Sequence, residues 1–233
     1  MRILAIETST YAASLAIVGE DSVLGEYYFN IGPKHIEKLV PAIDWLISEM
    51  GMVKSDLTGV AVSSGPGSFT SLRVGISTAK GICYSLGIPL IGVSSLKNLA
   101  MNVSACSYDI CPVIDARKGE VFTALYNFRN GELERILEDA VVTPNQLIKL
   151  IKRNTILIGD GALLYKEYLE DNLSDDIMFA PVNINFPRAS NLVFSEIGKF
   201  KGDRDNKYVY NETMNLAPQY LRKSEAEISK DGR

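Results

Sequence analysis

Apolar and polar positions alternate in short runs at the start of the chain. The segments Arg2 to Thr8, Ala13 to Val18 and Val23 to Asn30 are apolar or aromatic runs separated by short turns, the second of which contains Gly19 and Asp21. Such runs read as three strands of an antiparallel meander. The period then changes. From about Pro33 to Met50, the residues Ile36, Leu39, Val40, Ile43, Leu46, Ile47 and Met50 recur every three or four positions, which is the spacing of one helical face. Gly51 stands in the C′ position that ends such a helix. Trp45 falls off the stripe, so apolar surface wraps beyond one face. Pro41 removes a backbone hydrogen bond and predicts a bend. A strand over Gly59 to Ser63 follows, then a helix from Ser68 to Leu86 that ends at Gly87. A strand from Pro89 to Val93 and a helix from Ser95 to Val103 complete the series. This succession predicts an α/β unit with helices packed on a mixed sheet.

The pattern then restarts. A shift of 108 residues lays Ile3-Leu4-Ala5-Ile6-Glu7 over Cys111-Pro112-Val113-Ile114-Asp115, and the strands Ser14 to Val18 and Phe122 to Tyr126 coincide. Two apolar strands, each ending in an acid and doubling back, are what a duplicated domain leaves behind. The expected organisation is one lobe over residues 1–105, a second over 106–222, and a polar tail over 223–233 whose composition suits disorder.

Composition narrows the function classes. The 233 residues can bury one large core or two small ones, and 46% hydrophobic with 22% charged residues is ordinary for a globular protein. The net charge is −4, from 24 basic and 28 acidic residues, with no basic run longer than a pair such as Arg222-Lys223. Phosphate contacts supply most affinity for nucleic acid, so any RNA contact should lean on a partner. The first strand meets Glu7 too early for a signal peptide, and no apolar run is long enough to span a bilayer. Cys83, Cys106 and Cys111 form neither a metal spacing nor an even disulfide set, which suits a reducing cytoplasm.

Candidate chemistry concentrates in Ser63-Ser64-Gly65-Pro66-Gly67-Ser68-Phe69-Thr70, a strand–turn–helix junction. Gly65 and Gly67 around Pro66 make a sharp turn with no Cβ in the way, and Ser68 or Thr70 can cap the helix. Such a junction aims backbone N–H donors at a cleft and suits an anion; a tight turn built only for packing reads the same. The Lys-Ser/Thr pair of a P-loop is missing. The single histidine, His35, cannot make the paired-histidine helix of a zinc peptidase, and no Gly-x-Ser-x-Gly elbow accompanies it. In the second helix Ser71, Gly75, Ala79 and Cys83 form a four-residue ridge of small side chains, which lets a neighbouring helix approach closely. That ridge and the first helix's stripe could equally cover this protein's own sheet.

The run from Gly65 to Gly75 resembles the GPGSFTGLRVG segment of the TsaB (YeaZ) family, with Ser71 where that family usually has Gly. Further landmarks follow in the family's order. They are Ile3 to Thr10, His35 to Pro41, Asp115-Ala116-Arg117 with Glu120-Val121-Phe122, Gly159 to Ala162, and Pro218 to Arg222. The resemblance implies two tandem RNase-H-like lobes of the actin/Hsp70/sugar-kinase (ASKHA) type, the second reduced. It implies a non-catalytic subunit of the complex that transfers threonylcarbamoyl to N6 of an adenosine in tRNAs reading codons that begin with A. In that complex TsaD carries metal and transfer chemistry through paired histidines. The ATPase TsaE docks where the paired subunits meet, and tRNA is reached only through the complex. The first two helices would pair with TsaD, or with a second copy in its absence. The expected contacts are His35, Ile36, Leu39, Ile43, Trp45 and Leu46, with Ser71, Gly75, Ala79 and Cys83. No cofactor or metal of its own is implied. The competing reading is a stand-alone ATPase or small-molecule kinase of the same fold. It would use Glu7 and Asp115 to hold Mg²⁺ through water, with Thr8, Ser9, Gly65, Gly67 and Ser68 around an anion.

Overall fold

Two five-stranded mixed sheets with the same strand order organise the chain in this computed structural model. It describes residues 1–32, 35–103, 106–152, 154–174, 176–201 and 214–222. The first sheet contains β1 (Ile3–Glu7), β2 (Ala13–Val18), β3 (Val23–Phe29), β4 (Gly59–Gly65) and β5 (Leu90–Ser94), in the order β3-β2-β1-β4-β5. The second contains β6 (Asp109–Arg117), β7 (Glu120–Arg129), β8 (Glu132–Val142), β9 (Thr155–Ile158) and β10 (Ile177–Phe179), in the order β10-β9-β6-β7-β8. Each is an antiparallel three-strand meander extended by two parallel strands. Asn130 and Gly131, both at positive φ, close the two-residue hairpin between β7 and β8.

The repeat is real in topology but not in the register that an ungapped shift of 108 predicts. Leu4 and Ile6 face the cluster formed with α1 (His35–Glu49) and α2 (Phe69–Leu86). Their counterparts facing α4 (Pro144–Leu150) are Cys111 and Val113, one residue short of that shift. A slip of one residue turns every side chain of a strand to the other face. Glu7 and Asp115 are therefore not equivalent positions; Asp115 takes the place of Thr8.

Two helices cross between the halves. The helix α3 (Ser95–Ala100) lays Leu96, Leu99 and Ala100 on the second sheet against Ile110, Ile114 and Tyr126. The helix α7 (Ala189–Phe194) returns to lay Ala189, Leu192 and Val193 on the first sheet against Ile3, Ala5 and Ala16. Each sheet thus completes its core with a helix from beyond the boundary read at residue 105, and burying each of those larger side chains contributes about 1.5–3 kcal/mol. Residue 105 itself, Pro33 and the tail over 223–233 lie outside the described residues.

Helix ends follow the local signals. After α1 the amide of Met52 bonds Ile47 O at 3.1 Å around Gly51 at φ +63°. Pro41 stands inside α1 without ending it. Gly87, at φ +66°, closes α2. Ser68 does not cap α2 with its side chain: its hydroxyl pairs with Ser71 Oγ at 2.9 Å. Residues 214–222 then form a strap over the molecule. Gln219 N donates to Ser64 O at 2.7 Å, Leu216 joins the first core, and Leu221 packs on the second.

Candidate functional site

A cleft of about 610 Å³ opens where the β1–β2 loop, the glycine turn before α2, the β6–β7 turn and the strap converge. The glycine turn is shaped by close backbone approaches. A Cβ on Gly65, at φ +109°, would lie 2.8 Å from Gln219 O, and one on Gly67 would collide with Ser9 O. Ser68 N, at the helix entry, donates to that same Ser9 O at 2.7 Å. Of the two readings of this turn, packing is the one its geometry serves, because the first donor at the helix entry is spent on the protein itself.

Glu7 stands behind the cleft wall. It is 1% exposed, its Oε1 accepts from Ser9 N at 2.7 Å, and its Oε2 accepts from Asn98 Nδ2 at 2.5 Å. Burial raises its pKa above the usual carboxylate range, against the pull of those hydrogen bonds. Thr8 is buried beside it, its Oγ1 donating to Ser71 O at 3.0 Å. Glu7, Thr8 and Gly65 are therefore not cleft residues, whereas Ser9, Gly67, Ser68 and Asp115 line it. The Glu7–Asp115 pair expected to hold Mg²⁺ does not form, because the one-residue register difference sends the two carboxylates to different neighbours.

The acids that do meet are Asp115 and Asp160, the latter opening α5 (Asp160–Leu164). Asp160 Oδ1 accepts from Asp115 N at 3.1 Å, and burial, then the neighbouring Asp115 charge, raises the Asp160 pKa. Asp115 Oδ1 accepts from Arg117 N at 2.8 Å, and its Oδ2 pairs with Arg117 Nη1 at 2.8 Å. Arg117, Lys118 and Gly119 all have positive φ, a left-handed turn that carries two basic side chains to the cleft. The Arg117 guanidinium lies 4.4 Å from the centre of the Tyr11 ring, so the corresponding first hairpins of the two halves touch across the opening. On the other wall Arg73 sits 3.8 Å from the Phe69 ring centre and donates through Nε to Tyr220 OH at 2.8 Å. Tyr220 itself stacks on Phe69 at 4.8 Å. Sequence reasoning assigned no role to Tyr11, Arg73, Lys118, Asp160 or Tyr220. The Lys118-Gly119 step signals a turn, but nothing local tells what faces it.

The expected partner contacts fare differently. Leu39, Ile43, Leu46, Ser71, Gly75, Ala79 and Cys83 are all buried in the chain's own first core, so they present no surface to a neighbour. Their small size serves the close packing of α2 on β1 and β4: a Cβ on Gly75 would collide with Thr8 Oγ1. Of the expected contacts whose side chains are described, Trp45 alone is open, 49% exposed with its ring 5.1 Å from that of Tyr27. The side chains of His35 and Ile36 lie outside the described residues. Exposed instead are Val40 on α1, 60%, and Tyr84 on α2, 63%, and α2 carries a second, exposed row of small residues, Ser77, Gly81 and Ser85. A Cβ on Gly81 would meet nothing within 4 Å.

Among the described residues no group of three or more His, Cys, Asp or Glu side chains is placed to hold a metal ion. No helix among them is long and apolar enough to cross a membrane.

Comparison with known proteins agrees with the geometry. Residues 30–230 match the family described as TsaD, tRNA N6-adenosine threonylcarbamoyltransferase. The chain is 36% identical over 230 residues to the tRNA threonylcarbamoyladenosine biosynthesis protein TsaB of Bacillus subtilis (strain 168), covering 97% of this chain and 96% of that protein. It is 31% identical over 170 residues to TsaB of Escherichia coli (strain K12), covering 69% of this chain and 72% of that one. The solved structure of YeaZ from Pseudomonas aeruginosa superposes with a TM-score of 0.76 at 26% identity, covering 94% of this chain and 99% of that chain. The activator of 2-hydroxyisocaproyl-CoA dehydratase from Clostridium difficile superposes with a TM-score of 0.51 at 11% identity, over 92% of this chain and 96% of that chain, a likeness of fold alone.

Proposed function

The chain belongs to the TsaB (YeaZ) family of tRNA threonylcarbamoyladenosine biosynthesis proteins, and from that membership we propose that it is the non-catalytic partner of the TsaD transferase in this tRNA modification. The observation that carries the reading is the single histidine of the whole chain, His35. A subunit that holds its metal through paired histidines needs two, and this chain has one to give. The two cleft acids add no second route, since Asp115 and Asp160 are engaged by Arg117 and by the Asp115 amide.

Pairing runs through the outer face of α1 and α2. Val40 and Tyr84 supply exposed apolar and aromatic surface, and the row Ser77, Gly81 and Ser85 lets a partner helix approach closely. Homodimer formation in the absence of TsaD would use the same face, and TsaE would dock where the two subunits meet. The net charge of −4 fits a subunit that meets tRNA only through the complex, in the cytoplasm.

A reconstituted transfer assay on tRNA tests the proposal. Supplied with threonylcarbamoyl-adenylate, product should form when this chain, TsaD and TsaE are all present, and should fail when this chain is left out. Product from this chain alone would overturn the non-catalytic role.

A further inference from the structure

We propose that the strap over residues 214–222 is a clasp between the two halves. It is anchored firmly on the first half and latched weakly to the second, and so it sets how wide the cleft stands. The clasp is separate from the helix face assigned to pairing, and its test needs no partner.

The way the halves are joined leaves room for such a device. The chain crosses between them through α3 and α7, and these helices lie against each other. Asn191 Nδ2 donates to Asn102 Oδ1 at 2.7 Å and to Asn98 O at 3.3 Å. Two crossings at one seam make a hinge, because ties close to an axis resist rotation about it least. The cleft lies away from that seam: its lining includes the strap and no residue of α3 or α7. A tie across the cleft therefore acts with more leverage than either crossing.

The strap makes that tie unequally. On the first half Leu216 joins the core, Lys80 Nζ donates to Met214 O at 2.9 Å, and Gln219 N donates to Ser64 O at 2.7 Å. Tyr220 adds its stack on Phe69 and its bond from Arg73. On the second half Leu221 packs beside the core, and Arg222 Nη1 lies 3.3 Å from Glu120 Oε2 and donates to Ala116 O at 3.4 Å. The Arg222–Glu120 pair is 26% and 34% exposed at its two side chains, so it is weak and sensitive to salt. Asp139 on β8, its side chain 2% exposed, accepts from Ser94 Oγ at 3.2 Å at the end of β5, and Gln219 hydrogen-bonds the same carboxylate. Gln219 thus holds the first half through its amide and the second through its side chain. The Arg117–Tyr11 contact also spans the opening, between two exposed side chains.

Double electron–electron resonance on the full chain is the test, with spin labels on Thr70→Cys in the first half and Leu164→Cys in the second, both exposed positions. Burial pushes the thiols of Cys83 and Cys111 up to about 12, so a thiol-directed label spares them at neutral pH once Cys106→Ser removes the third. The parent should give one dominant distance. Arg222→Ala should raise the fraction at other distances by up to about fivefold, the scale of a part-exposed ion pair, and high salt should do the same. Leu221→Ala should raise it by about tenfold, the scale of two buried CH₂ groups. A label pair within the first half, at Val53 and Thr70, should not change, which separates loss of the clasp from loss of the fold. The proposal is overturned if the parent already shows a broad distribution across the cleft, or if both variants keep the parent's distances. It is overturned equally if the pair within the first half broadens as much as the pair across the cleft.

Discussion

Gly75 on α2 lies directly against Thr8 at the end of β1, so closely that a side chain on Gly75 would collide with the hydroxyl that Thr8 donates to Ser71 O at 3.0 Å. The ridge of small residues to which Gly75 belongs is thus the seam between α2 and the first sheet. It exists because a helix that crosses between the parallel strands β4 and β5 must come down close to β1.

Gly75→Leu should therefore damage the fold. Overpacking a filled core costs about 1–3 kcal/mol, and displacing Thr8 adds the loss of a buried hydrogen bond. Urea denaturation should show a lower midpoint than the parent. An unchanged midpoint would place the ridge outside the core.

Gly81→Leu, six residues further on, should do the opposite. Nothing lies within 4 Å of the added Cβ, and replacing a helical glycine raises stability by up to about 1 kcal/mol. Binding to TsaD, followed by calorimetry, should fall at least tenfold, and Tyr84→Ala should weaken it as well. Unimpaired binding by both variants would remove this face from the interface.

Glu7→Gln tests the buried carboxyl. Because burial raises the folded pKa, the neutral form suits the fold. The stabilisation that Glu7 contributes is complete below its ordinary value of 4.5 and is lost as pH rises toward the folded pKa. Glutamine keeps the neutral shape at every pH. Its amide can donate to Asn98 Oδ1, a buried atom without a partner among the described residues, once that amide turns over. The variant should melt above the parent at neutral pH, and the gap should close on titration toward about pH 4.5. A gap that stayed constant with pH would show that Glu7 does not titrate in this way.

Tyr220→Ala should loosen the strap. It removes the stack on Phe69 and the bond from Arg73, together worth about 1 kcal/mol at this half-exposed site. Trypsin should cut at Arg222 faster than in the parent, while urea stability falls only slightly. Equal cleavage rates would mean that the Gln219–Ser64 bond and Leu216 hold the strap alone.

The sequence by itself determined the kinds of element, their order, the ends of α1 and α2 and the family. Those signals are local: hydrophobic period, a glycine at Gly51 or Gly87, a turn at Gly65 to Gly67. Tertiary structure decided the rest. The helix α2 carries small residues on two rows, Ser71-Gly75-Ala79-Cys83 and Ser77-Gly81-Ser85, so periodicity could not tell which row meets the sheet; the depth at which β1 and β4 receive the helix does. An ungapped comparison of the two halves paired Glu7 with Asp115, and only strand register, set by which face each helix covers, parted them. The cleft likewise joins Tyr11 to Arg117 and Phe69 to Tyr220, residues far apart along the chain, and no local pattern encodes a meeting that depends on how two sheets and a strap are laid together.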